Sequence, residues 1–207
     1  MEWVRVRGTS LRAVHTTTER LPGLTLTTLT LDVPLDHTDP GGVQIEVFAR
    51  VATAEDGAGK PYLVFLQGGP GHEAPRPTGV PGNPPWLARA LQDYQVVMLD
   101  QRGTGRSTPI SSRVVRDEDT VRAELAGPLA GLDAPAQAEW LRHLRADEIV
   151  NDAERVREAL GASQWTVLGQ SFGGFTTLHY LSTHPESLAG ALVTGGLSAV
   201  QHPVDDI

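Results

Sequence analysis

The chain has 207 residues, of which 40% are apolar, and a formal net charge of -8 at pH 7. This length and composition predict one globular domain with a buried core, and the negative charge argues against nucleic acid or an anionic membrane as a partner. No cysteine occurs in the sequence, so a disulfide framework, a thiolate metal site and a cysteine nucleophile are excluded.

The first predicted elements are two strands in which apolar and polar residues alternate. They cover Leu24 to Val33 and Val43 to Ala49, and the turn between them is rich in Asp, Pro and Gly. Alternation of this kind is typical of half-buried strands, and the short turn indicates an antiparallel hairpin. We expect this hairpin at the edge of a sheet.

Two continuously apolar runs follow, Tyr62 to Leu66 and Val96 to Leu99, with a short helix predicted between them near Trp86 to Gln92. Runs without alternation are typical of strands covered on both faces, as in parallel sheets. Each run leads into a glycine-rich loop. Because the carboxyl ends of parallel strands share one edge, both loops are expected where such sheets bind their ligands.

Residues 110 to 135 are polar and are expected to be irregular, with one or two helical turns near Thr120 to Leu125. A single amphipathic helix is predicted from about Gln137 to Leu160, because apolar residues follow one stripe and Gly161 ends it. The last predicted elements are a strand at Gln164 to Leu168, a helix at Phe175 to His184 and a strand at Leu188 to Thr194. This alternation predicts a doubly wound, mostly parallel α/β sheet.

The segment Gly169-Gln170-Ser171-Phe172-Gly173-Gly174 joins the predicted strand to the predicted helix. Gly-x-Ser-x-Gly at such a turn is the nucleophile elbow pattern of α/β-hydrolases, in which a strained turn presents a serine hydroxyl above the sheet. The pattern is short, and its strand and helix context supports it. Ser171 is the predicted nucleophile, and the alternative is a serine that only caps the helix.

Three motifs follow one another along the chain: Gln67-Gly68-Gly69-Pro70-Gly71, Asp100 to Ser107, and the segment around Ser171. In that order and spacing they resemble the proline iminopeptidase (prolyl aminopeptidase) family of α/β-hydrolases, from about residue 33 to residue 196. Smaller members usually have His in place of Gln67, so the Gln form resembles the larger bacterial members. The resemblance implies hydrolysis that releases an amino-terminal residue, typically proline.

The resemblance also implies roles for residues around Ser171. The backbone N–H groups of Phe172 and Gly69 are expected to form the oxyanion hole. Gly68 and Glu73 are weaker candidates for substrate contact. A tight turn explains Gly68 equally well, and a solvated position in the loop explains Glu73.

Four further residues are expected to shape the structure near the site: Asp100, Arg102, Gly169 and Gly173. The spacing of the glycines does not fit a phosphate or dinucleotide fingerprint. No cofactor is expected, since a serine mechanism needs none, and the scattered histidines indicate no metal set.

The acid and the base are harder to place. In this fold the catalytic residues follow the chain order Ser, then Asp or Glu, then His. After Ser171 the histidines are His179, His184 and His202. His179 would lie about 12 Å along the helix from the serine, at about 1.5 Å per residue, and His184 is farther along. His202 comes too soon after Ser171 in the chain to be the catalytic histidine of this fold.

We therefore expect residues 1–207 to be the amino-terminal part of the catalytic domain, an incomplete α/β-hydrolase fold from which the cap domain and the last strands are absent. A second polypeptide, or a missing carboxyl-terminal segment, would supply Asp and His. An unpaired apolar edge strand would invite such a partner.

The leading prediction is a serine aminopeptidase that releases amino-terminal proline through an acyl-enzyme, with a proline-initiated peptide as substrate. Another α/β-hydrolase (an esterase, an amidase or a tripeptidyl-type peptidase) and an inactive half-domain are the alternatives. Neither nucleic acid nor a membrane is an expected partner. The sequence starts without the apolar core of a signal peptide, which predicts a cytoplasmic protein.

Overall fold

The structure is a computed structural model, and it describes residues 15–69, 71–117 and 120–196. The strands within these residues are β1 (His15–Leu21), β2 (Leu24–Pro34), β3 (Gln44–Thr53), β4 (Tyr62–Leu66), β5 (Gln95–Asp100), β6 (Ser111–Asp117), β7 (Thr120–Ala126), β8 (Trp165–Gln170) and β9 (Leu188–Thr194). The helices are α1 (Leu87–Ala90), α2 (Ala134–Leu141), α3 (Ala146–Ala159) and α4 (Phe172–Thr183), with 3-10 turns at Gly127–Leu129 and Pro185–Ser187.

Seven strands form one mixed sheet in the order β1-β2-β3-β5-β4-β8-β9. The first three strands are antiparallel and β3 pairs with β5, whereas β5, β4, β8 and β9 run parallel to one another. The predicted hairpin is therefore present as β2 and β3. Strand β1 was not predicted, because its Thr-rich segment is exposed along most of its length and lacks the alternation that marks a half-buried strand.

Both faces of the sheet are covered. Neighbouring residues of one strand, such as Leu63 and Val64, belong to separate apolar clusters because successive side chains point to opposite faces. One cluster contains Val150, Ala153 and Val156 of α3, and the other contains Leu87 of α1. Helices on both faces of a mostly parallel sheet confirm the doubly wound prediction.

The predicted irregular region contains two strands. β6 and β7 pair as an antiparallel hairpin over Ser111–Asp117 and Thr120–Ala126. The expected helical turns near Thr120 to Leu125 were therefore wrong. Ladder hydrogen bonds between the two strands stabilise this hairpin, and such cross-strand pairing is invisible in the local composition of either segment.

The single helix predicted from Gln137 to Leu160 is also wrong, because two helices, α2 and α3, occupy this region. The break has a physical cause in the chain between them. The carbonyl oxygen of His143 accepts a hydrogen bond of 2.9 Å from Arg102, and Arg145 has an extended backbone before α3 begins. A distant arginine thus stabilises a break that helical periodicity alone does not reveal.

Strand β9 is the outermost parallel strand and pairs with β8 alone among the described residues. Its apolar residues Leu192 and Val193 are 51% and 41% exposed. A buried parallel strand would be covered on both faces, so this edge carries apolar surface that water contacts. Among the described helices, none combines the length and the apolar character that a membrane crossing requires.

Candidate active site

Ser171 occupies the one-residue turn between β8 and α4. Its backbone has φ 54° and ψ -117°, a left-handed conformation that non-glycine residues rarely adopt. Its carbonyl oxygen accepts hydrogen bonds from Gly174 at 2.9 Å and from Phe175 at 3.2 Å, which start the helix. The residue is exposed. The turn is therefore sharp and strained, and it leaves the serine accessible at the carboxyl edge of the sheet.

Two glycines allow the elbow to pack closely. A Cβ atom on Gly173 would overlap the carbonyl oxygen of Leu66 in β4, and one on Gly169 would overlap the side chain of Thr177 and the carbonyl oxygen of Gly173. Each of these contacts involves backbone or a buried side chain, which cannot simply rotate away. Helix α4 can approach β4 and β8 this closely only with glycine at both positions.

The loop after β4 lies directly against the elbow. A Cβ atom on Gly68 would come within 2.9 Å of both the Ser171 Cβ and the Gln170 carbonyl oxygen. Gly69 follows with φ 126°, which favours glycine. On the other side of the serine, Phe172 is the first residue of α4, so its N–H group has no partner within the helix. Two backbone segments thus flank Ser171, as the predicted oxyanion donors require.

Glu73 already has a cationic partner in the chain. Its carboxylate accepts a hydrogen bond of 2.5 Å from Arg76, and its side chain is 39% exposed. A Cβ atom on Gly105 would lie 2.7 Å from the Cβ atom of Glu73, so the loop that contains Glu73 packs against the loop after β5. An amino group of a substrate would have to compete with Arg76 for the Glu73 carboxylate.

Asp100, at the end of β5, is fully buried and joins three segments of the chain. It accepts hydrogen bonds from the Arg50 guanidinium at 2.7 and 3.2 Å, from the Ala74 N–H at 3.1 Å and from the Arg106 N–H at 3.0 Å. Strand β3, the loop after β4 and the loop after β5 therefore converge on one carboxylate. The acceptor positions of the Asp100 carboxylate are occupied within the protein, so it cannot accept a further hydrogen bond from a substrate.

Arg102 is buried and binds away from the elbow, to the β2–β3 turn and α3. It donates to both carboxylate oxygens of Asp152, at 2.7 and 2.6 Å, and to the carbonyl oxygens of Leu35 at 2.6 Å and His143 at 2.9 Å. Such a bidentate arrangement fixes the geometry of both partners. These contacts hold the loop after β5 to the rest of the domain.

No sequence pattern predicts the acidic and histidine side chains that gather around Arg102. His37 Nε2 lies 2.9 Å from Asp152 Oδ1, and ligand atoms of Asp36, His143 and Glu148 lie within 4.8 Å of one another. These residues come from distant parts of the chain, so no local spacing could have shown the group. The Arg102 guanidinium lies 3.6 Å from Glu148 and would oppose a cation there.

A second polar cluster joins α3 to α4. Burial opposes ionisation of Glu154, but hydrogen bonds from Arg157 and Tyr180 outweigh it and hold the pKa of Glu154 below its usual value. The Tyr180 hydroxyl also accepts a hydrogen bond of 3.0 Å from the Trp165 indole. Burial, together with the hydrogen bond to Glu154, raises the pKa of Tyr180 far above its usual value. This cluster fixes α4, the helix that follows Ser171.

No described histidine hydrogen-bonds the Ser171 hydroxyl. His37 pairs with Asp152, and His184 pairs with Thr183. His179 lies two turns along α4, and His202 lies outside the described residues. Within residues 15–69, 71–117 and 120–196, the candidate site therefore consists of Ser171 and two flanking backbone segments, and no histidine there hydrogen-bonds the serine hydroxyl.

Comparison with known proteins agrees with this architecture. The family profile described as alpha/beta hydrolase fold matches residues 61–206. The chain belongs to the α/β-hydrolase fold family. A proline iminopeptidase of Aeromonas sobria is 45% identical over 179 residues, which cover 84% of this chain and 38% of that protein. The predicted resemblance to the proline iminopeptidases is thereby confirmed.

Other hydrolases give similar matches. A proline iminopeptidase of Aspergillus aculeatus is 34% identical and covers 80% of this chain and 35% of its own length. A tripeptidyl aminopeptidase of Streptomyces lividans is 28% identical and covers 78% of this chain and 33% of its own length. The chain spans about a third of the length of the curated relatives that it matches.

Proposed function

We propose that the chain supplies the nucleophile and the oxyanion hole of a serine aminopeptidase that releases amino-terminal proline from peptides. The observation that carries the proposal is the strained, exposed conformation of Ser171 at the end of β8, with Gly68 packed against it. A serine in a left-handed turn has a conformational cost of about 1–3 kcal/mol. Such a cost is typical of a residue whose position serves chemistry.

In the proposed reaction the Ser171 hydroxyl oxygen attacks the carbonyl carbon of the proline residue, and a histidine accepts the hydroxyl proton. The N–H groups of Phe172 and Gly69 donate to the oxygen that becomes negative. Collapse of the intermediate breaks the peptide bond, and the histidine returns the proton to the departing amine. Water then attacks the acyl-enzyme by the same route and releases proline.

The histidine and its acid partner are proposed to come from a further segment that completes the sheet next to β9, either in a second polypeptide or in a carboxyl-terminal extension. Two features support this. Strand β9 has exposed apolar residues and an edge to which no described residue pairs, and the Aeromonas relative contains a large part outside the matched region. Residues 1–207 would then be the amino-terminal part of the catalytic domain. The cap domain would belong to the same further segment.

A chimera tests the proposal directly. The part of the Aeromonas enzyme that follows the matched region is joined to this chain after β9, and hydrolysis of a prolyl arylamide is measured. We expect activity in the chimera and none after Ser171→Ala, with the Leu181→Ala variant, changed at an exposed leucine of α4, as the matched control.

The other outcomes separate the alternatives. Hydrolysis of tripeptidyl or ester substrates without prolyl activity would favour another hydrolase of this fold. A folded chimera with no activity on any of these substrates would favour an inactive half-domain and would contradict the proposal.

A further inference from the structure

An open pocket of about 490 Å³ lies beside the first turns of α4. Phe172, Phe175 and His179 form one wall, and residues 144–147, between α2 and α3, form the other. The volume is within the range of pockets that bind small ligands. Phe172 directly follows the proposed nucleophile in the chain, so the pocket adjoins the elbow.

The lining of the pocket is mostly apolar and partly aromatic. The rings of Phe172 and Phe175 are nearly parallel, at 25°, with their centroids 6.1 Å apart. Leu144 and Ala146 also line the pocket. Two adjacent aromatic rings provide a surface against which a flat or branched apolar group gains both burial and ring contacts.

Arg145 and Asp147 are the lining residues with oppositely charged side chains. Arg145 donates to Asp147 at 2.9 Å, and the two side chains are 65% and 40% exposed. Asp147 is the carboxylate among the described lining residues, and Arg145 already neutralises it. A protonated amino group would therefore find no unpaired carboxylate in this lining, whereas an uncharged apolar group would lose little by entering.

From this arrangement we infer that the pocket is a specificity subsite for the leaving side of the substrate. It binds an aromatic or large aliphatic side chain on the residue that follows the scissile bond. The amino-terminal residue of an aminopeptidase substrate carries the free amine, so a pocket without an unpaired carboxylate suits the departing residue instead. This inference rests on the proposed function for its substrate class, but binding to the pocket can be measured without catalysis.

The four phenylalanines of the chain make a direct test available. Phe48 and Phe65 are buried in the core at 1% and 2% exposure and serve as internal controls for Phe172 and Phe175. The Ser171→Ala protein is labelled with 4-fluorophenylalanine, and its fluorine resonances are assigned with single Phe→Leu variants. Prolyl-phenylalanine amide and prolyl-glycine amide are then titrated separately.

We expect the resonances of Phe172 and Phe175 to shift with prolyl-phenylalanine amide, while those of Phe48 and Phe65 stay in place. The phenylalanine peptide should bind about tenfold more tightly than the glycine peptide, because only its side chain can be buried. Phe175→Ala should remove that difference, and Leu181→Ala should retain it. Equal affinities for the two peptides, or shifts that spare Phe172 and Phe175, would overturn the inference.

A separate measurement on the chimera distinguishes the subsite from the proposed function. A fluorophosphonate probe reports whether Ser171 is a reactive nucleophile. Shifts at Phe172 and Phe175 without labelling would support the subsite and remove the peptidase proposal. Labelling of Ser171 without those shifts would support the nucleophile and overturn the subsite.

Discussion

The backbone N–H of Ser171 donates a hydrogen bond of 2.9 Å to the carbonyl oxygen of Thr194, the last residue of β9. The outermost strand of the sheet thus holds the proposed nucleophile directly. Thr194 Oγ1 also donates to the Gly169 carbonyl oxygen at 3.3 Å, on the other side of the elbow. A segment that pairs with β9 would order this strand and, through Thr194, the conformation of Ser171.

The strain at Ser171 predicts that two small substitutions differ in stability. Ser171→Gly should raise the free energy of unfolding above that of Ser171→Ala by about 1 kcal/mol, because glycine adopts a positive φ without strain. Both variants lack the hydroxyl and should not react with a fluorophosphonate. Urea denaturation compares their stabilities. An alanine variant as stable as the glycine variant would contradict the claim of strain.

Close packing at the elbow predicts that Gly173 does not tolerate a methyl group. Gly173→Ala should lower the free energy of unfolding by at least about 1–3 kcal/mol, because the new Cβ overlaps the Leu66 carbonyl oxygen in the neighbouring strand. Gly190→Ala in β9 is the matched control. Its Cβ would meet nothing closer than 3.7 Å, so its stability should change by less than about 0.5 kcal/mol. Similar losses in both variants would argue against the steric explanation.

The buried carboxylate of Asp100 predicts a large loss of stability on neutralisation. In Asp100→Asn the Arg50 guanidinium stays buried without its ion partner, which should cost about 3–5 kcal/mol. Asp93→Asn breaks an exposed pair with Arg89 and should cost less than about 1 kcal/mol. Chemical denaturation of the two variants measures the contrast, and a small effect of Asp100→Asn would show that Arg50 finds another partner.

The lowered pKa of Glu154 predicts a dependence of stability on pH. The folded-state pKa lies below the ordinary value of 4.5, so the Glu154 carboxylate contributes its full stabilisation above that pH and loses it as the pH falls through the folded-state pKa. The stability advantage of the wild type over Glu154→Gln should therefore stay constant from about pH 7 down to the ordinary value of 4.5 and shrink as the pH falls below it. The exposed Glu139→Gln serves as the control. An advantage that stays constant below pH 4.5 would contradict the prediction.

The parallel core and the elbow could be predicted from sequence because their signals are local. The run from Tyr62 to Leu66 is apolar without alternation, and Gly-x-Ser-x-Gly follows a strand and precedes a helix. Both patterns lie within a few consecutive residues of the chain. The strands β4, β5, β8 and β9 and the position of Ser171 at a strand-to-helix turn were accordingly found where they were predicted.

The features that sequence reasoning missed depend on residues far apart in the chain. The break between α2 and α3 involves a hydrogen bond from Arg102 to His143, and the polar group around Arg102 joins the β2–β3 turn to α3. The pocket beside Phe172 likewise needs residues 144–147 from a separate segment. Such arrangements leave no spacing pattern, so only the folded chain reveals them.

The most direct test of the central claim is mass-spectrometric mapping of a fluorophosphonate adduct on the chimera described above. We predict one adduct, on the peptide that contains Ser171, and loss of prolyl arylamide hydrolysis in proportion to its formation. Hydrolysis that persists in the Ser171→Ala chimera, or an adduct on another residue that accompanies the loss of activity, would contradict the assignment of Ser171 as the nucleophile.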